Sequence, residues 1–566
     1  MNTVTLTIDG ISVTVPSDYT ILEAAKEASI NIPTLCYLKD LNKIGACRLC
    51  LVEVAGARGL LASCITQVAD GMVVKTNTAA LRKARKLNLE LLLSNHNREC
   101  TTCVRSQNCE LQALCRELGV DEYAFDGSKN EHTVDELSPS IVRDNSKCIN
   151  CRRCIAACNN MQKIGAIGAT RRGFSTSIGC VFDRSLADSP CINCGQCIIA
   201  CPVGALHEKS SINAVWNALN DPEKVVIVQP APAVRASLGE EFGMPMGTAV
   251  TGKLAAALRR LGFDKVFDTD FGADLTILEE GTELLNRLNG GGALPMITSC
   301  SPGWVKYCET FFPEFIPNLS TCKSPHEMLG AIIKSYYAEK NDIDPRSIFT
   351  VSIMPCTAKK MEAARPEFIH DGRPDVDLVL TTHEVIDMMQ ETGIQLNELE
   401  LESPDLPFGL GSGAAVIYGT TGGVAEAVVR HCLPDKSKNA LREISILGLR
   451  GDAPIKETTV TIGDTELKLA VVNGLANARK LLKKIDEGEA FYHLIEVMTC
   501  QGGCVGGAGQ PYGLKATKEK RGDGLHQSDN AAMFKRAERN PIVVRMMAEY
   551  GEERCHELLH VSYRGE

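Results

Sequence analysis

The first 80 residues alternate apolar and polar side chains in short runs, which predicts β-strands. Val4–Ile8 and Ile11–Val15 both alternate, and Asp9-Gly10 between them is the turn signal of a tight hairpin. Thr20-Ile21-Leu22-Glu23 has the spacing of a capping box, which predicts a helix that begins here and continues through Ala28. We expect a small β-rich domain at this end of the chain.

From about residue 211 the pattern becomes that of an α/β domain. Apolar runs of strand length recur, and several lead into helical periodicity, as at Leu475–Ile485. Such runs predict parallel sheets covered by helices. A separate helix is predicted over residues 79–93. The candidate strands are Val225–Val228, Leu294–Ile297, Phe349–Met354, Leu378–Leu380, Leu469–Val472 and Leu494–Met498.

The composition is that of a large globular protein. With 566 residues the chain is too long for one ordinary core, so we expect several domains. A net charge of −10 argues against nucleic acid as a partner. The sequence contains no apolar run of about 18 residues, so we predict no membrane span. Residues 1–5 lack the basic start of a secretory signal.

The 25 cysteines are either a disulfide framework or metal ligands. Disulfide-dense proteins are usually small secreted domains, whereas this chain is long and shows no secretory signal. Many of its cysteines form C-x2-C pairs, which suit metal clusters better than bridges. We therefore expect iron–sulfur ligation. Because such thiolates need a reducing compartment, we also expect a cytoplasmic protein.

Four cysteines near the N-terminus predict a [2Fe–2S] cluster. Their spacing is x10, x2 and x13, and the order with a central C-x2-C resembles plant-type ferredoxins, although the first gap is longer. A zinc site is the alternative. The four are Cys36, Cys47, Cys50 and Cys64.

A histidine and three cysteines further on are predicted to bind metal, and their resemblance to a His-ligated site found after ferredoxin domains implies a [4Fe–4S] cluster with one imidazole ligand. The histidine stands one helical turn before a C-x2-C pair, and a neutral imidazole in place of a thiolate should raise the cluster's reduction potential. Cys115 is a rival candidate ligand or else a buried thiol. The predicted ligands are His96, Cys100, Cys103 and Cys109.

Two cysteine runs between residues 148 and 202 predict two more [4Fe–4S] clusters. Each has the C-x2-C-x2-C-x3-C spacing of bacterial ferredoxins, in which the fourth cysteine serves the other cluster. The four cluster sites together would conduct electrons. One set of ligands is Cys148, Cys151, Cys154 and Cys201, and the other is Cys191, Cys194, Cys197 and Cys158.

Three later segments carry cysteines just past predicted strand ends, where open α/β sheets bind ligands. Cysteines from three strand ends could converge on one buried cofactor, and the glycines of the third segment would let the backbone approach it closely. Scattered core cysteines are the alternative, but they leave the glycine-rich segment unexplained. The segments are Thr298–Trp304 with Cys300, Met354–Glu362 with Cys356 and Lys359, and Glu496–Pro511 with Cys500 and Cys504.

All three segments resemble the signature motifs of [FeFe]-hydrogenases, and with the N-terminal cluster sites the resemblance covers essentially the whole chain. It implies an H-cluster, in which a [4Fe–4S] cubane is joined through one thiolate to a two-iron unit carrying CO, CN⁻ and azadithiolate. By this resemblance Cys504 is the bridging cysteine, and Cys356 and Cys500 hold the cubane. Lys359 would hydrogen-bond a cyanide. The implied lining of the two-iron pocket is Pro230, Ala231, Pro232, Met354 and Met498.

The first segment departs from the family pattern, which is usually Thr-Ser-Cys-Cys-Pro-Gly-Trp. In the family, the first of these cysteines relays protons and the second ligates the cubane. Aligned on Pro302, this chain has Cys300 at the relay position and Ser301 at the ligand position. A serine oxygen is a hard ligand, whereas iron–sulfur clusters prefer thiolate. Either Ser301 ligates as an alkoxide, or Cys300 ligates instead, or the cubane has another fourth ligand.

The segment Phe271–Glu283 resembles the family segment that carries two glutamates of a proton relay. These match Glu280 and Glu283, which are three residues apart and so share a helix face. Ser320 matches the relay serine, and Arg287 stands one turn beyond Glu283. The alternative is that these acidic residues form a solvated helix face.

The resemblance implies an α+β multidomain chain with four parts. These are a β-grasp ferredoxin-like domain (1–80), a His/Cys3 [4Fe–4S] domain (81–125), a bacterial two-[4Fe–4S] ferredoxin domain (140–210) and a two-lobed α/β hydrogenase domain (211–566). The expected cofactors are one [2Fe–2S] cluster, three accessory [4Fe–4S] clusters and the H-cluster.

The expected function is reversible conversion of two protons and two electrons to H2. A sensory or low-activity relative is one alternative, favoured by Ser301 and opposed by the relay residues. An electron-transfer subunit like that of respiratory complex I is another, opposed by the three C-terminal cysteine segments. The chain has no convincing nucleotide or flavin fingerprint. The expected partners are ferredoxin, NAD(P)H-oxidising flavin and iron–sulfur subunits, and the proteins that assemble the H-cluster.

Overall fold

A computed structural model describes residues 2–120, 125, 127–130, 132–433, 448–451, 453–462, 465–512 and 515–563. The chain forms two compact units, and the predicted multidomain architecture is thereby confirmed. One unit comprises Met1–Ser189 and Gln196–His207, and the other comprises Pro190–Gly195 and Glu208–Glu566. Residues 190–195 lie within the second cysteine run, so that run contributes to both units.

A five-stranded sheet begins the first unit. Thr3–Ile8 and Ile11–Pro16 pair antiparallel, with Ile8 opposite Ile11. Asp9 and Gly10 take the positive φ angles that a two-residue hairpin turn needs, which confirms the predicted hairpin. The strands lie in the order Ile11–Pro16, Thr3–Ile8, Val73–Lys75, Leu51–Val54 and Leu61–Ala62.

Both predicted helices of this region form. The Thr20 side chain accepts a hydrogen bond from the Glu23 backbone and Glu23 reaches back to Thr20, which confirms the capping box of Ile21–Glu27. The second helix, Ala79–Asn95, extends two residues further than predicted. The remaining helices and strands of this part of the chain are Glu110–Leu118, Arg153–Ala156 and Gln196–Ala200, and Val134–Asp135, Ile141–Asp144, Gly168–Thr170, Ser177–Gly179 and Leu206–Glu208.

The second unit contains two four-stranded sheets. The strands of the first sheet all run parallel, and buried aliphatic side chains cover both of its faces. This confirms the predicted parallel arrangement for that sheet. Its strand order is Lys265–Val266, Val225–Pro230, Ile348–Met354 and Leu378–Thr381.

The second sheet differs in part from the prediction. Its edge strand Ile455–Ile462 pairs antiparallel with Thr465–Asn473. The sequence pattern missed that strand because most of its residues are at least partly exposed, so it contributes little to the core. The predicted strand at Leu294–Ile297 is only Met296–Ile297, since Pro295 has no N–H to donate to a ladder. The strand order is Met296–Ile297, Leu494–Met498, Thr465–Asn473 and Ile455–Ile462.

Helices cover both sheets of the second unit. Thr269–Asn286 is almost wholly buried and packs on Pro325–Ile332 and Gly423–Cys432. Within the described residues, no helix combines the length and apolar character needed to cross a bilayer. The other helices are Ile212–Leu219, Pro232–Arg235, Thr251–Arg260, Pro302–Phe311, Ala338–Lys340, Ala358–Ala363, Thr382–Glu391, Gly413–Val416, Leu475–Asp486, Lys515–Ala531, Pro541–Tyr550 and Glu552–Leu559.

Candidate catalytic centre and cluster sites

The three cysteine segments begin at the carboxyl ends of buried strands, as predicted. The strands belong to the two four-stranded sheets of the second unit, so the segments reach the site from both of these sheets. The strand and cysteine pairs are Met296–Ile297 with Cys300, Ile348–Met354 with Cys356, and Leu494–Met498 with Cys500.

These segments enclose one cavity with about 890 Å³ of space not filled by protein atoms. Its lining is mostly apolar. Pro230, which ends its strand, is absent from the lining among the described residues. The predicted residues that do line the cavity are Ala231, Pro232, Cys300, Ser301, Met354, Cys356, Lys359, Met498, Cys500 and Cys504.

The residues of this cavity fit an iron–sulfur cofactor. Four thiols, at Cys300, Cys356, Cys500 and Cys504, open onto one largely apolar space, and soft thiolates are the donors that iron–sulfur clusters prefer. Gly503 and Gly507 of the third segment line the cavity, and their predicted close approach to a cofactor stays a prediction. A Cβ at Gly507 would overlap the Pro355 carbonyl oxygen, and one at Gly503 would lie 2.7 Å from Thr421 N. The two glycines therefore also allow the third segment to pack closely on the Cys356 segment and on residues 420–421.

Lys359 is the buried cation of the cavity wall. Its Nζ donates to Glu362 Oε2 at 2.6 Å and to the Cys300 carbonyl at 3.3 Å. His326, which also lines the cavity, hydrogen-bonds the same Glu362 oxygen through Nε2 at 2.6 Å. Burial, and then the Lys359 charge, lowers the pKa of His326 to about 4, so the ring is neutral. Burial opposes ionisation of Glu362, but Lys359 and the contact with His326 together outweigh it and hold the pKa of Glu362 below its ordinary value.

Cys300 and Ser301 both line the cavity but contact different groups. Ser301 Oγ lies 3.0 Å from Thr499 Oγ1, the residue before Cys500. Cys300 packs against an apolar cluster that includes Met498. Burial, followed by the charge of Glu280, raises the pKa of the Cys300 thiol well above its ordinary value. Both residues therefore adjoin the third cysteine segment, Cys300 through the cluster of Met498 and Ser301 through Thr499.

The residues predicted for proton transfer lie together. Glu280 is fully buried, and neither carboxylate oxygen has a hydrogen-bond partner among the described residues. Burial, and then the charge of Glu283, raises the pKa of Glu280 to about 8. Glu283 accepts hydrogen bonds from Ser320 Oγ at 2.8 Å and from Arg287 Nη2 at 2.6 Å. A solvated acidic face does not describe this arrangement.

The four cysteines of the first cluster site are all buried in the first unit. Cys50 Sγ lies 3.3 Å from Cys64 Sγ, and the Cys47 backbone nitrogen lies 3.5 Å from Cys36 Sγ. Four thiols gathered in this way fit a [2Fe–2S] cluster, which takes four cysteine ligands.

His96 lines a second site with the three cysteines predicted to accompany it, Cys100, Cys103 and Cys109. His96 is buried, and its Nδ1 has no hydrogen-bond partner among the described residues. An unpartnered imidazole nitrogen beside three thiols fits a metal site. Cys115, the rival candidate, lines the same site, so both alternatives for the ligand set stay predictions.

One of the two bacterial-type ligand sets surrounds a small cavity in the first unit, lined by Cys148, Cys151, Cys154 and Cys201. The other set, Cys191, Cys194, Cys197 and Cys158, draws on both units and stays a prediction. Within the second unit, Cys194 lines the same cavity as Cys356 and Cys504.

Comparison with known families decides what the large cavity belongs to. The profile described as "Iron only hydrogenase large subunit, C-terminal domain" matches residues 224–508, about half of the chain, including all four cavity cysteines of the three segments. The chain belongs to the iron-only, or [FeFe], hydrogenase family. It is a hydrogenase, an oxidoreductase that acts on H2. Further profiles match a 2Fe-2S iron–sulfur cluster binding domain at 1–79, an NADH-ubiquinone oxidoreductase-G iron–sulfur binding region at 85–123, and the ferredoxin-like domain of NADH-quinone oxidoreductase subunit 3 at 138–207.

Full-length relatives agree with this assignment. The hydrogenase is 48% identical to the NADP-reducing hydrogenase subunit HndD of Solidesulfovibrio fructosivorans, over 100% of this chain and 99% of that one. It is 43% identical to iron hydrogenase 1 of Clostridium pasteurianum, over 99% and 100%. A solved apo form of a variant of the [FeFe]-hydrogenase HydA1 from Chlamydomonas reinhardtii superposes with a TM-score of 0.54 at 39% identity, over 63% of this chain and 99% of that chain.

The cavity of this hydrogenase also contains residues that the sequence analysis did not single out. Tyr418 lines it, and its hydroxyl has no hydrogen-bond partner among the described residues. His326 also lines the cavity and was missed because an isolated histidine on a helix carries no motif. Glu362, which His326 contacts, ends the predicted segment Met354–Glu362 but was given no role. The i, i+3 spacing of Lys359 and Glu362 was a signal that could have identified the Glu362 ion pair.

Proposed function

We propose that this hydrogenase interconverts protons, electrons and H2 at an H-cluster held in the cavity of the second unit. The observation that carries the proposal is the convergence of Cys356, Cys500 and Cys504 on one apolar cavity beside the buried cation of Lys359. When bound, the H-cluster supplies the redox chemistry that forms and splits H2. The chain supplies ligands, an apolar enclosure and routes for protons and electrons.

We assign three thiolates and one oxygen to the cubane. The thiolates are those of Cys356, Cys500 and Cys504, with Cys504 bridging to the two-iron unit, and the oxygen is that of Ser301. Support for Ser301 comes from its contact with Thr499, which adjoins Cys500. Support for Cys300 as the proton relay comes from its place in the cavity lining and from its thiol pKa, which burial and then the charge of Glu280 raise. Lys359, Met354 and Met498, with Pro230, Ala231 and Pro232, would surround the two-iron unit.

The proton route runs from the cavity towards the surface of the second unit. Cys300 exchanges a proton with Glu280, which burial keeps protonated at neutral pH, and Glu280 exchanges one with Glu283 through Ser320. Each group is a general acid or base that passes one proton at a time. Arg287 holds Glu283 in place.

Electrons reach the cavity through accessory clusters. We propose one [2Fe–2S] and three [4Fe–4S] clusters on the sixteen ligands predicted above, in a β-grasp domain (1–80), a His/Cys3 domain (81–125) and a two-cluster ferredoxin domain (140–210), followed by the catalytic domain (211–566). Cys194 supports electron entry at the cavity, because it lines the cavity with the proposed H-cluster ligands.

The electron donor or acceptor is an NAD(P)-linked partner. The iron–sulfur regions match those of NADH-oxidising complexes, and a full-length relative is a subunit of an NADP-reducing hydrogenase. Because the chain carries no convincing nucleotide or flavin fingerprint, we place the NAD(P)H- and flavin-binding sites on partner subunits. Ferredoxin is a second partner, and H-cluster assembly proteins are transient ones. The many thiolate ligands favour a reducing, cytoplasmic setting.

An activity assay separates the catalytic centre from the partner. Matured protein should evolve H2 from reduced viologen, and Cys504→Ala should not. NAD(P)H should replace viologen only when flavin-bearing subunits are added. No H2 with viologen would contradict the proposed catalytic centre, whereas H2 with viologen but never with NAD(P)H and those subunits would contradict the proposed partner.

A further inference from the structure

The C-terminal segment of the described chain is fixed beside the outer end of the glutamate pair. Lys323 N donates to the Leu559 carbonyl at 2.9 Å, and Val561 N donates to the Thr321 carbonyl at 2.7 Å. These bonds set His560 opposite Cys322, two residues after the relay serine Ser320. The histidine is therefore held by backbone bonds on both sides rather than by a flexible tail.

His560 bonds to both of its neighbouring elements. Its Nδ1 lies 2.7 Å from Thr321 Oγ1, and its Nε2 lies 3.2 Å from Glu279 Oε2. One of its ring nitrogens, a Glu283 carboxylate oxygen and Cys322 Sγ all lie within 4.8 Å of one another. A neutral imidazole accepts on one nitrogen and donates from the other, so it can take a proton on one side and release one on the other.

A second histidine extends this contact to solvent. His556 is exposed, and its ring stacks on that of His560 with centroids 4.1 Å apart. The side chains of His560 and Glu279 are 11% and 12% exposed, that of Glu283 is 12% exposed, and Glu280 is fully buried. His556 is thus the exposed member of the group, His560, Glu279 and Glu283 are similarly and only slightly exposed, and Glu280 is the buried acid.

Arg287 does not offer an equivalent route. Its guanidinium binds Glu283 and four backbone carbonyls, those of residues 293, 317, 318 and 319. Since arginine does not deprotonate in proteins, it can orient Glu283 but cannot pass on a proton. We therefore place proton exchange with Glu283 on its side that faces His560.

We infer that His556, His560 and Glu279 form the outer station of the proton route, exchanging protons between solvent and Glu283. In H2 evolution one proton binds at Glu279 and moves directly to His560, or binds at His556 and moves to His560 through a bridging water, because the two rings are stacked and not hydrogen-bonded. A second bridging water passes it from His560 to the Glu283 carboxylate. In H2 oxidation the same proton moves outwards. Nothing is oxidised or reduced in these steps, and two protons pass for each H2.

This inference rests on the proposed function. It also depends on the titratable and charged groups that surround His560. From the helix Thr269–Asn286 it faces Glu279 and Glu283, the latter paired with Arg287. From the segment 320–323 it faces Cys322, while Lys323 is engaged by Asp375 and His370. His556 and Cys555 belong to the helix Glu552–Leu559, which His560 directly follows. The side chains of Glu279 and Glu283 therefore both lie close to the imidazole of His560.

Chemical rescue tests the inference in fully matured enzyme. His560→Ala should lower H2 evolution from reduced viologen about tenfold or more at low buffer concentration, because a relay base contributes at least that much. Added imidazole should restore turnover, and methylimidazoles should do so in step with their pKa. The matched control is His493→Ala, which removes a half-buried histidine that contacts Lys468 and Phe491. It should show no imidazole dependence.

Three further measurements separate proton transfer from packing. His560→Gln, which keeps hydrogen-bonding capacity, should fold normally and still shift the pH profile of turnover. The infrared bands of the bound cofactor and the thermal midpoint should match wild type in both His560 variants. His556→Ala combined with His560→Ala should be no slower than His560→Ala alone, since both lie on one route.

The outcomes that overturn the inference are distinct from failure of the proposed function. Wild-type turnover in His560→Ala without imidazole dependence would remove His560 from the route. Slow turnover that imidazole cannot rescue, with an unchanged pH profile in His560→Gln, would show a packing role only. If the matured wild-type enzyme itself made no H2, the proposed function would fail first.

Discussion

The hydroxyl of Ser301 lies 3.0 Å from the hydroxyl of Thr499. This contact joins the first cysteine segment to the third at the residue before Cys500. Cys300, the preceding residue, packs in the same apolar cluster as Met498 of the third segment, and burial and then the charge of Glu280 raise the pKa of its thiol. The roles proposed for Ser301 as ligand and Cys300 as proton relay therefore call for a test by substitution.

Substitution of these two residues gives opposite expected results. Cys300→Ala should keep the cubane and block turnover, since it removes the thiol beside Glu280 and no ligand. Ser301→Cys should keep turnover and shift the reduction potential of the cubane, because ligand type tunes cluster potential. Iron content, electron paramagnetic resonance and redox titration measure these effects. Loss of the cubane signal in Cys300→Ala, with accessory clusters intact, would assign Cys300 as the ligand.

Glu283→Gln should slow H2 turnover by roughly 10²-fold or more and leave the cofactor's infrared spectrum unchanged, because it removes a titratable group from the proton route. The matched control is Asp274→Asn on the same helix. Asp274 is fully buried, and its oxygens accept hydrogen bonds from Ser412 and Asn540 and, within the described part of the chain, contact no residue of the proposed proton route. The control should turn over near the wild-type rate. Near-normal turnover in Glu283→Gln would exclude this glutamate from the route.

Glu280 should lower the stability of the catalytic unit as pH rises. Its pKa is about 8 in the folded chain against an ordinary 4.5, so between those values the folded state keeps a proton that the unfolded state releases. Stability therefore falls with rising pH across this window, by at most about 1.4 kcal/mol per pH unit. Glu280→Gln removes this effect, so its stability relative to wild type should increase between about pH 5 and pH 8.

Tryptophan fluorescence can measure this effect in one unit. Both tryptophans, Trp216 and Trp304, lie in the second unit, so their emission reports unfolding of the catalytic part in protein made without the two-iron unit. The unfolding midpoints of Glu280→Gln and wild type are compared at about pH 5 and about pH 8. An equal difference at both would mean that Glu280 ionises normally in the folded chain.

Gly195 should be costly to replace, because it brings the loop of Cys194 onto the catalytic segments. It has a φ of +65°, and a Cβ there would overlap Ala508 Cβ and approach Thr357 Oγ1. Gly195→Ala should cost about 1 kcal/mol for backbone strain and a further 1–3 kcal/mol, roughly, for overpacking. Gly262→Ala is the matched control, since Gly262 has a φ of +105° in the same unit and open space around it. Equal losses of thermal stability would contradict the close packing.

Much of the fold followed from local patterns. The hairpin of residues 3–16, the Thr20 capping box and the parallel strands of the catalytic unit all have short-range signals that tertiary packing did not override. The antiparallel edge strand Ile455–Ile462 was missed because an exposed edge needs few apolar residues. Strand ends just before Cys300, Cys356 and Cys500 predicted the common location of the three segments.

The remainder of the site depends on contacts between distant residues, which no local pattern encodes. His326 meets Glu362 over 36 positions, and Ser301 meets Thr499 over 198. His560 reaches Glu279 over 281 positions. Glu280 and Glu283 were predicted by resemblance, but only the structure distinguishes the fully buried acid from its partly exposed, arginine-bound partner.

Infrared spectroscopy of the matured protein tests the central claim most directly. The CO and CN⁻ ligands of the two-iron unit absorb where proteins have no bands. We predict intense CO and CN⁻ bands after maturation with the H-cluster assembly proteins, and none in protein that carries only its accessory clusters or in matured Cys504→Ala. Fully matured wild-type protein without these bands would contradict the assignment of the cavity to an H-cluster.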